Sequence, residues 1–394
     1  MTDPPRRNIF CELTPPGRGG ISTLGLFGPE VLDAVRRIFR SCRPLDERHE
    51  RIVYGHIVGD DERSLDEVIV HVADAANVEV HCHGGPAAVE AVARRLESQA
   101  VERCAWNAFL RIRAEVEGVG RIVLDAELLL PRLAALKPAL VVTAQRNGLL
   151  AAAVRRAGDL IGEGRRDEAL RLLGDLLRSY ARTGRFIERP PRVAILGPAN
   201  SGKSSLMNRL VGAERMIVTD IPGTTRDVVT EMAAFDGLPV VLADTAGLRP
   251  AADAVEEAGI QRARAEVLAA DVLLVMHDLS GRAEAVAGLE PQDLSGDGRP
   301  PFIRVGTKAD LVGGSEIGRD VDVVTSSVTG QGTDELTRTI LGRLSFRWPQ
   351  EAEAVPFTAH LADVLSRTHD DLRNGLDESA CRRLAPLLPL LGKV

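Results

Sequence analysis

Nine residues, Gly197-Pro198-Ala199-Asn200-Ser201-Gly202-Lys203-Ser204-Ser205, hold the densest chemistry in the sequence. Their spacing is G-x-x-x-x-G-K-S, set between an apolar run at 193–196 and a helix-like run at 206–210. Glycines at this spacing let the backbone bend so that several N–H groups point at phosphate oxygens. A following helix adds the positive end of its dipole. Lys203 is then placed to reach β- and γ-phosphates, and the Ser204 hydroxyl to take one position on Mg²⁺. The competing reading is a glycine-rich strand-to-helix turn with no ligand.

Four downstream pieces favour the nucleotide. Asp244-Thr245-Ala246-Gly247 closes an apolar run. Asp244 would hold Mg²⁺ through water and the Gly247 N–H would sense a γ-phosphate. Thr224-Thr225 lies between this piece and the phosphate loop, and Thr225 is the expected second hydroxyl on Mg²⁺. In Thr307-Lys308-Ala309-Asp310 the Asp310 carboxylate can accept from guanine N1–H and N2–H₂ together, a donor pair adenine lacks, so GTP is selected. Ser326-Ser327-Val328 stands where a backbone N–H would meet guanine O6. Such a base motif usually begins with Asn; Thr307 predicts retained base choice with weaker affinity. Many GTPases carry Gln after the Asp-Thr-Ala-Gly segment to orient water. Leu248 cannot, so another group must position water and another positive charge must offset phosphate charge.

These residues need a scaffold. From about 192 to 344 the sequence alternates mostly apolar, strand-length runs (193–196, 240–243, 272–276, 302–305, 321–325) with helical stretches, notably 255–268. That is the pattern of a doubly wound α/β domain. Residues 280–301 read as a surface loop. Leu-, Ala- and Arg-rich helices are expected over 124–186, one of them interrupted at Lys137-Pro138, and again from 358 to 373 and from 377. Arg189-Pro190-Pro191 marks a boundary. Helices on both sides suggest a helical domain (119–189 and 346–394) into which the α/β unit (190–345) is inserted, behind an α+β domain at 1–118. The first hundred residues offer strands at 9–13, 21–27, 52–58, 68–72 and 77–82, with helices at 30–39 and 86–96.

The net charge of -7 gives no bulk attraction to nucleic acid. A local basic face would need Arg165, Arg166, Arg171, Arg178, Arg182 and Arg185, for which a solvated helix face is the simpler reading. No apolar run reaches membrane-spanning length and the start lacks a signal-peptide core, so a cytoplasmic protein without a membrane partner is expected. Five scattered cysteines fit reduced thiols. His81-Cys82-His83 invites a metal reading, but no fourth ligand is spaced for it, and a strand end entering the Gly84-Gly85 turn is preferred.

The phosphate loop, Val218-Thr219-Asp220-Ile221-Pro222-Gly223-Thr224-Thr225-Arg226-Asp227 and Asp244-Thr245-Ala246-Gly247-Leu248-Arg249 resemble the tRNA-modification GTPase family (MnmE/TrmE). So do Thr14-Pro15-Pro16-Gly17-Arg18-Gly19-Gly20 and His81-Cys82-His83-Gly84-Gly85. The resemblance implies a K⁺-dependent GTPase in which Asn200, Thr219, Ile221 and Thr224 match the ion's surroundings. Glu256 matches the acidic residue that acts on water through a bridging water; an exposed carboxylate at a helix start is the alternative. With Lys203 and Thr225 it completes the expected catalytic set. The resemblance also implies a homodimer, tRNA, a flavin-containing partner of the MnmG/GidA kind and a tetrahydrofolate one-carbon donor. Here the sequence departs from the family. Its folate-contacting Arg aligns with Gly25, its C-terminal Cys with Leu390, while Lys393 fits; Cys381 lies about nine residues upstream of Leu390. Two readings therefore stand: a tRNA-modification GTPase with a reduced N-terminal domain, or a GTP-dependent switch without folate chemistry.

Overall fold

The computed structural model describes residues 7–15, 19–45, 51–198, 200–213, 229–244, 268–281, 300–312 and 321–389. They fall into two compact units, one running up to Leu124 and taking in Pro389, the other spanning Asp125–Leu388.

The first unit is α+β. Its strands are β1 (Ile9–Glu12), β2 (Ile21–Phe27), β3 (Phe39–Arg40), β4 (Arg51–Val58), β5 (Ser64–Val72), β6 (Asn77–His83) and β7 (Glu102–Arg103). They form one sheet in the order β3-β4-β5-β6-β2-β1-β7, antiparallel except for the β1–β7 pair. Alternation decides which side is covered. Val68, Val70 and Val72 of β5 and Val78, Val80 and Cys82 of β6 enter a core with α1 (Val31–Ile38) and α2 (Pro86–Glu97). The intervening residues, among them Ile69, His71, Glu79 and His81, face away from that core. A smaller cluster packs Ile9, Cys11 and Phe27 under α3 (Trp106–Glu117).

The second unit joins a helical part to an α/β part. The α/β sheet has β8 (Arg192–Leu196), β9 (Val229–Phe235), β10 (Leu238–Asp244), β11 (Val272–Asp278), β12 (Phe302–Thr307) and β13 (Val323–Val324), in the order β13-β12-β11-β8-β10-β9. β8 is central, and its apolar run is buried on both faces. Val193 and Ile195 join a core with α9 (Lys203–Ala213) and α10 (Thr333–Arg343); Ala194 and Leu196 join Leu273 and Val275 on the other face. All pairs are parallel except β9–β10, an antiparallel edge that buried-run reasoning did not foresee. The expected strand at 321–325 shrinks to two residues.

The helical part comprises α4 (Arg121–Leu129, which crosses the unit boundary), α5 (Leu136–Arg146), α6 (Leu149–Gly162), α7 (Arg166–Ser179), α8 (Arg185–Glu188), α11 (Ala359–Arg373) and α12 (Asp377–Leu384). Pro138 does not interrupt a helix. It sits in the first turn of α5, where its missing N–H costs nothing. Helices from before and after the α/β part pack together, as Arg166 of α7 to Asp377 of α12 illustrates at 2.8 Å. The two crossings into the α/β part are tied to each other. Between α7 and α8 lies a π-helical turn, Tyr180–Gly184. Ser179 Oγ donates to Ala354 O (3.0 Å) and Thr183 Oγ1 to Arg347 O (2.7 Å). Gly184 lies so close to Pro356 that a Cβ there would stand 1.9 Å from the carbonyl oxygen. Parallel strands β8, β10, β11 and β12 send their carboxyl ends to the same edge, where α/β sheets bind ligands.

Candidate nucleotide-binding site

The loop after β8 has the bend its composition calls for. Gly197 has φ +154° and packs on β11: a Cβ would come 2.7 Å from Met276 Cβ, so no larger residue fits. Asn200 (φ +61°) and Gly202 (φ +91°) take left-handed backbone, which Asn and Gly tolerate best. α9 begins at Lys203, so the residues after Gly202 form the first turn of the helix. Lys203 is only 6% exposed, and its Nζ donates to Gly197 O (2.7 Å) and Pro198 O (2.6 Å), holding the ammonium over the loop. Ser204 and Ser205 follow on the same turn. An ammonium, hydroxyls and helix N–H groups at one point suit a polyphosphate with a hard divalent ion.

The base-reading segments are braced by side chains the motif pattern alone did not assign. Thr307 closes β12 and is buried, and its Oγ1 donates to Ser201 O at 2.7 Å, with His277 O at 3.1 Å. It therefore straps the base segment to the phosphate loop. Lys308, at φ +60°, pairs through Nζ with Asp278 Oδ2 at 2.7 Å. Asp278 ends β11, and its Oδ1 accepts from Ser280 N (2.9 Å) and Ser280 Oγ (2.6 Å). Burial pushes the Asp278 carboxyl up, but the bonds from Lys308 and Ser280 outweigh it and hold the group below the ordinary carboxylate value. Asp310 is exposed, and its Oδ1 accepts from Ser326 Oγ at 2.6 Å. The Ser326 N–H is committed to Gln331 O at 3.1 Å. Of the three residues expected to offer an N–H to guanine O6, Ser326 instead orients the carboxylate; Ser327 and the exposed Val328 remain for the base. Asp278 and Ser280 were missed in the sequence, where Asp278 reads as the polar end of a buried strand.

The structure thus brings Asn200, Ser201, Gly202, Lys203, Ser204, Ser205, Thr307, Lys308, Asp310, Ser326, Ser327 and Val328 to one sheet edge, with Asp244 ending β10 there. Thr219, Ile221, Thr224, Thr225, Thr245, Ala246, Gly247, Leu248 and Glu256 lie outside the described residues, as does most of the expected helix at 255–268.

Other sequence candidates resolve differently. Cys82 turns into the core while His81 and His83 point out, so the three do not converge. His81 meets Thr23 Oγ1 (2.9 Å) and lies 3.6 Å from Glu79, and His83 pairs with Asp66 at 2.6 Å. Among the described residues no group of three His, Cys, Asp or Glu is placed to hold a metal. In the arginine cluster, Arg165 pairs with Glu163 and Glu168, Arg166 with Asp377, Arg178 with Asp175 and Arg182 with Glu353. Those carboxylates offset the charge of four of the six arginines, while Arg185 stacks on the Phe186 ring.

Residues 192–305 match the family model described as 50S ribosome-binding GTPase, and residues 8–108 the model described as GTP-binding protein TrmE N-terminus. Among curated proteins, the chain is 38% identical over 304 residues to the tRNA modification GTPase MnmE of Chloroflexus aurantiacus, covering 69% of this chain and 66% of that protein. It is 35% identical over 342 residues to the protein of the same name from a Synechococcus strain, covering 75% of this chain and 70% of the relative. Among solved structures, the G domain of the T. maritima FeoB iron transporter is 27% identical over 39% of this chain and 98% of its own, at a TM-score of 0.29.

Proposed function

The chain belongs to the tRNA modification GTPase family and is a GTP-binding, GTP-hydrolysing protein, and we propose that it works with Mg²⁺ and K⁺ in the cradle that opens at Gly197. The carrying observation is the strap between base and phosphate segments, Thr307 Oγ1 to Ser201 O at 2.7 Å. It makes one site of two motifs about a hundred residues apart.

In this reading Lys203 neutralises charge on the β- and γ-phosphates, and Asp310, steered by Ser326, selects guanine. Ser204, Thr225 and, through water, Asp244 would hold Mg²⁺. Hydroxyls and a carboxylate are the hard oxygen donors that ion prefers. Asn200, Thr219, Ile221 and Thr224 would surround K⁺, which would supply positive charge beside the phosphates. Glu256 would act on the attacking water through a second water. The test is GTP turnover by the purified chain in K⁺ against Na⁺. Faster turnover in K⁺, with the difference lost in Asn200→Ala, is expected; equal rates in both salts reject the ion site. Asp310→Asn should weaken GTP strongly, and unchanged affinity would place base reading elsewhere.

A role in tRNA modification, with tRNA, a flavin-containing partner, a homodimer and a cytoplasmic setting, comes from the family. The chain covers 66% and 70% of the two relatives' lengths, so these are proposals. Among the described residues no helix is long and apolar enough to cross a membrane. One observation favours the second reading, a GTP-dependent switch without folate chemistry. At Gly25, where the family resemblance expects a folate-contacting arginine, the space beside the backbone is filled by Leu13, whose Cδ1 would stand 2.8 Å from a Cβ. Binding of tetrahydrofolate to the purified chain decides: no binding supports the switch, and micromolar binding supports the modification enzyme.

A further inference from the structure

We infer that this protein reads guanine along its Watson–Crick edge alone and makes no hydrogen bond to N7. The inference rests on the reading that GTP occupies the cradle with Asp310 on the base.

Guanine N7 and O6 are acceptors, so contact with either needs a donor from the protein. The polar side chains of the base segments are Thr307, Lys308, Asp310, Ser326 and Ser327, the last in the segment read above as meeting O6. Thr307 heads the segment and is 3% exposed. A threonine hydroxyl carries one proton. Here that proton lies between Ser201 O at 2.7 Å and His277 O at 3.1 Å, both backbone carbonyls with no proton to return. What Thr307 has left is lone pairs, which N7 repels. The Ser326 hydroxyl proton goes to Asp310 Oδ1 and its N–H to Gln331 O. Lys308 Nζ is drawn to the buried Asp278 carboxylate at 2.7 Å, at the end of β11. Asp310 offers only acceptors, and these match N1–H and N2–H₂. An asparagine at 307 would differ in kind: its amide carries two protons, one to brace the phosphate loop and one to spare. Threonine preserves the brace and gives up the second donor. Thr307 is thus a positioning residue that also sets specificity by what it withholds.

The experiment is displacement of a fluorescent GDP analogue from the full chain by GTP, 7-deaza-GTP and ITP. 7-Deaza-GTP replaces N7 by C–H, and ITP lacks the N2 amine. One neutral hydrogen bond is worth about 2- to 12-fold in affinity, and one to a carboxylate about tenfold or more. In the wild type, 7-deaza-GTP should bind within about twofold of GTP, whereas ITP should bind at least about tenfold more weakly. Thr307→Ser keeps one proton and should behave as the wild type. Thr307→Asn should gain a preference for GTP over 7-deaza-GTP of about 3- to 10-fold. A base-analogue ratio separates this role from a merely structural one, which would weaken all three nucleotides together. A wild-type preference for GTP over 7-deaza-GTP above about fivefold overturns the inference, whether or not Thr307→Asn folds. Equal binding of ITP and GTP would instead reject the Asp310 reading, so the two failures are distinguishable.

Discussion

Asp278→Asn tests whether a buried ion pair holds the base-reading segment in place. The Asp278 side chain is 1% exposed and that of Lys308 27% exposed. One oxygen serves Lys308 and the other serves both donors of Ser280. Asparagine keeps a single acceptor oxygen. If it stays on Ser280, an N–H₂ group faces the ammonium; if it turns to Lys308, the Ser280 donors lose their partner. One set fails in either rotamer. A hydrogen bond to a charged group contributes about 1.5–3 kcal/mol, and the partly exposed Lys308 can rehydrate, which places the loss near the low end, about 1.5–2 kcal/mol. With a urea slope of about 2 kcal/mol per M, the midpoint falls by roughly 0.8–1 M. Trp348 is a suitable reporter in a Trp106→Phe background. Its Nε1 donates to Asp236 O at 2.9 Å, and its ring meets Phe346 edge-on against the α/β core. The pH dependence has a definite sign. A carboxyl held below its ordinary value stabilises the fold above the unfolded value of about 3.9, and that contribution disappears as pH falls through the depressed native value. The gap between wild type and variant should therefore be constant from about pH 5 upward and close below about pH 4. A midpoint within about 0.2 M of wild type at pH 7, or a gap that widens in acid, would refute the reasoning.

Gly184→Ala, whose Cβ would meet the Pro356 carbonyl, should destabilise by about 2–3 kcal/mol. Gly158→Ala, in α6 with open space around it, should stabilise by about 0.5–1 kcal/mol; thermal unfolding of the pair checks both. Asp66 raises the His83 pKa by hydrogen bond and charge, so an NMR titration should place His83 above 6.5, with Asp66→Asn lowering it; no change would discount the pair. Burial pushes Cys11 up to about 12 and Cys82 to about 11, whereas Cys42 is exposed. Mass-mapped alkylation at pH 8 should mark Cys42 first and reach Cys11 and Cys82 only on unfolding.

The sequence showed the phosphate loop because glycine, lysine and serine have few other reasons to share that spacing. It showed β8 and β11 because strands buried on both faces read as unbroken apolar runs, and β12 as a mostly apolar one broken by Arg304. β9 escaped because Val229–Phe235 is an edge whose alternation includes Thr230 and Glu231. Pro138 misled because a proline reads the same at a helix start as in its middle until the start is known. The Thr307–Ser201 strap and the Asp278–Lys308 pair were out of reach: their partners are 106 and 30 residues apart, and only the strand order brings them together. For His81-Cys82-His83 the two-residue period of a strand already said that the middle member points the other way.

The packing of Leu13 against Gly25 also limits where the sequence can go next. Arginine introduced at 25 alone would drive its stem into an occupied space, while shortening Leu13 alone would open a gap beside Cys11 and Phe27. A cation on this strand is therefore coupled to Leu13, which must turn aside or be shortened to make room for its stem.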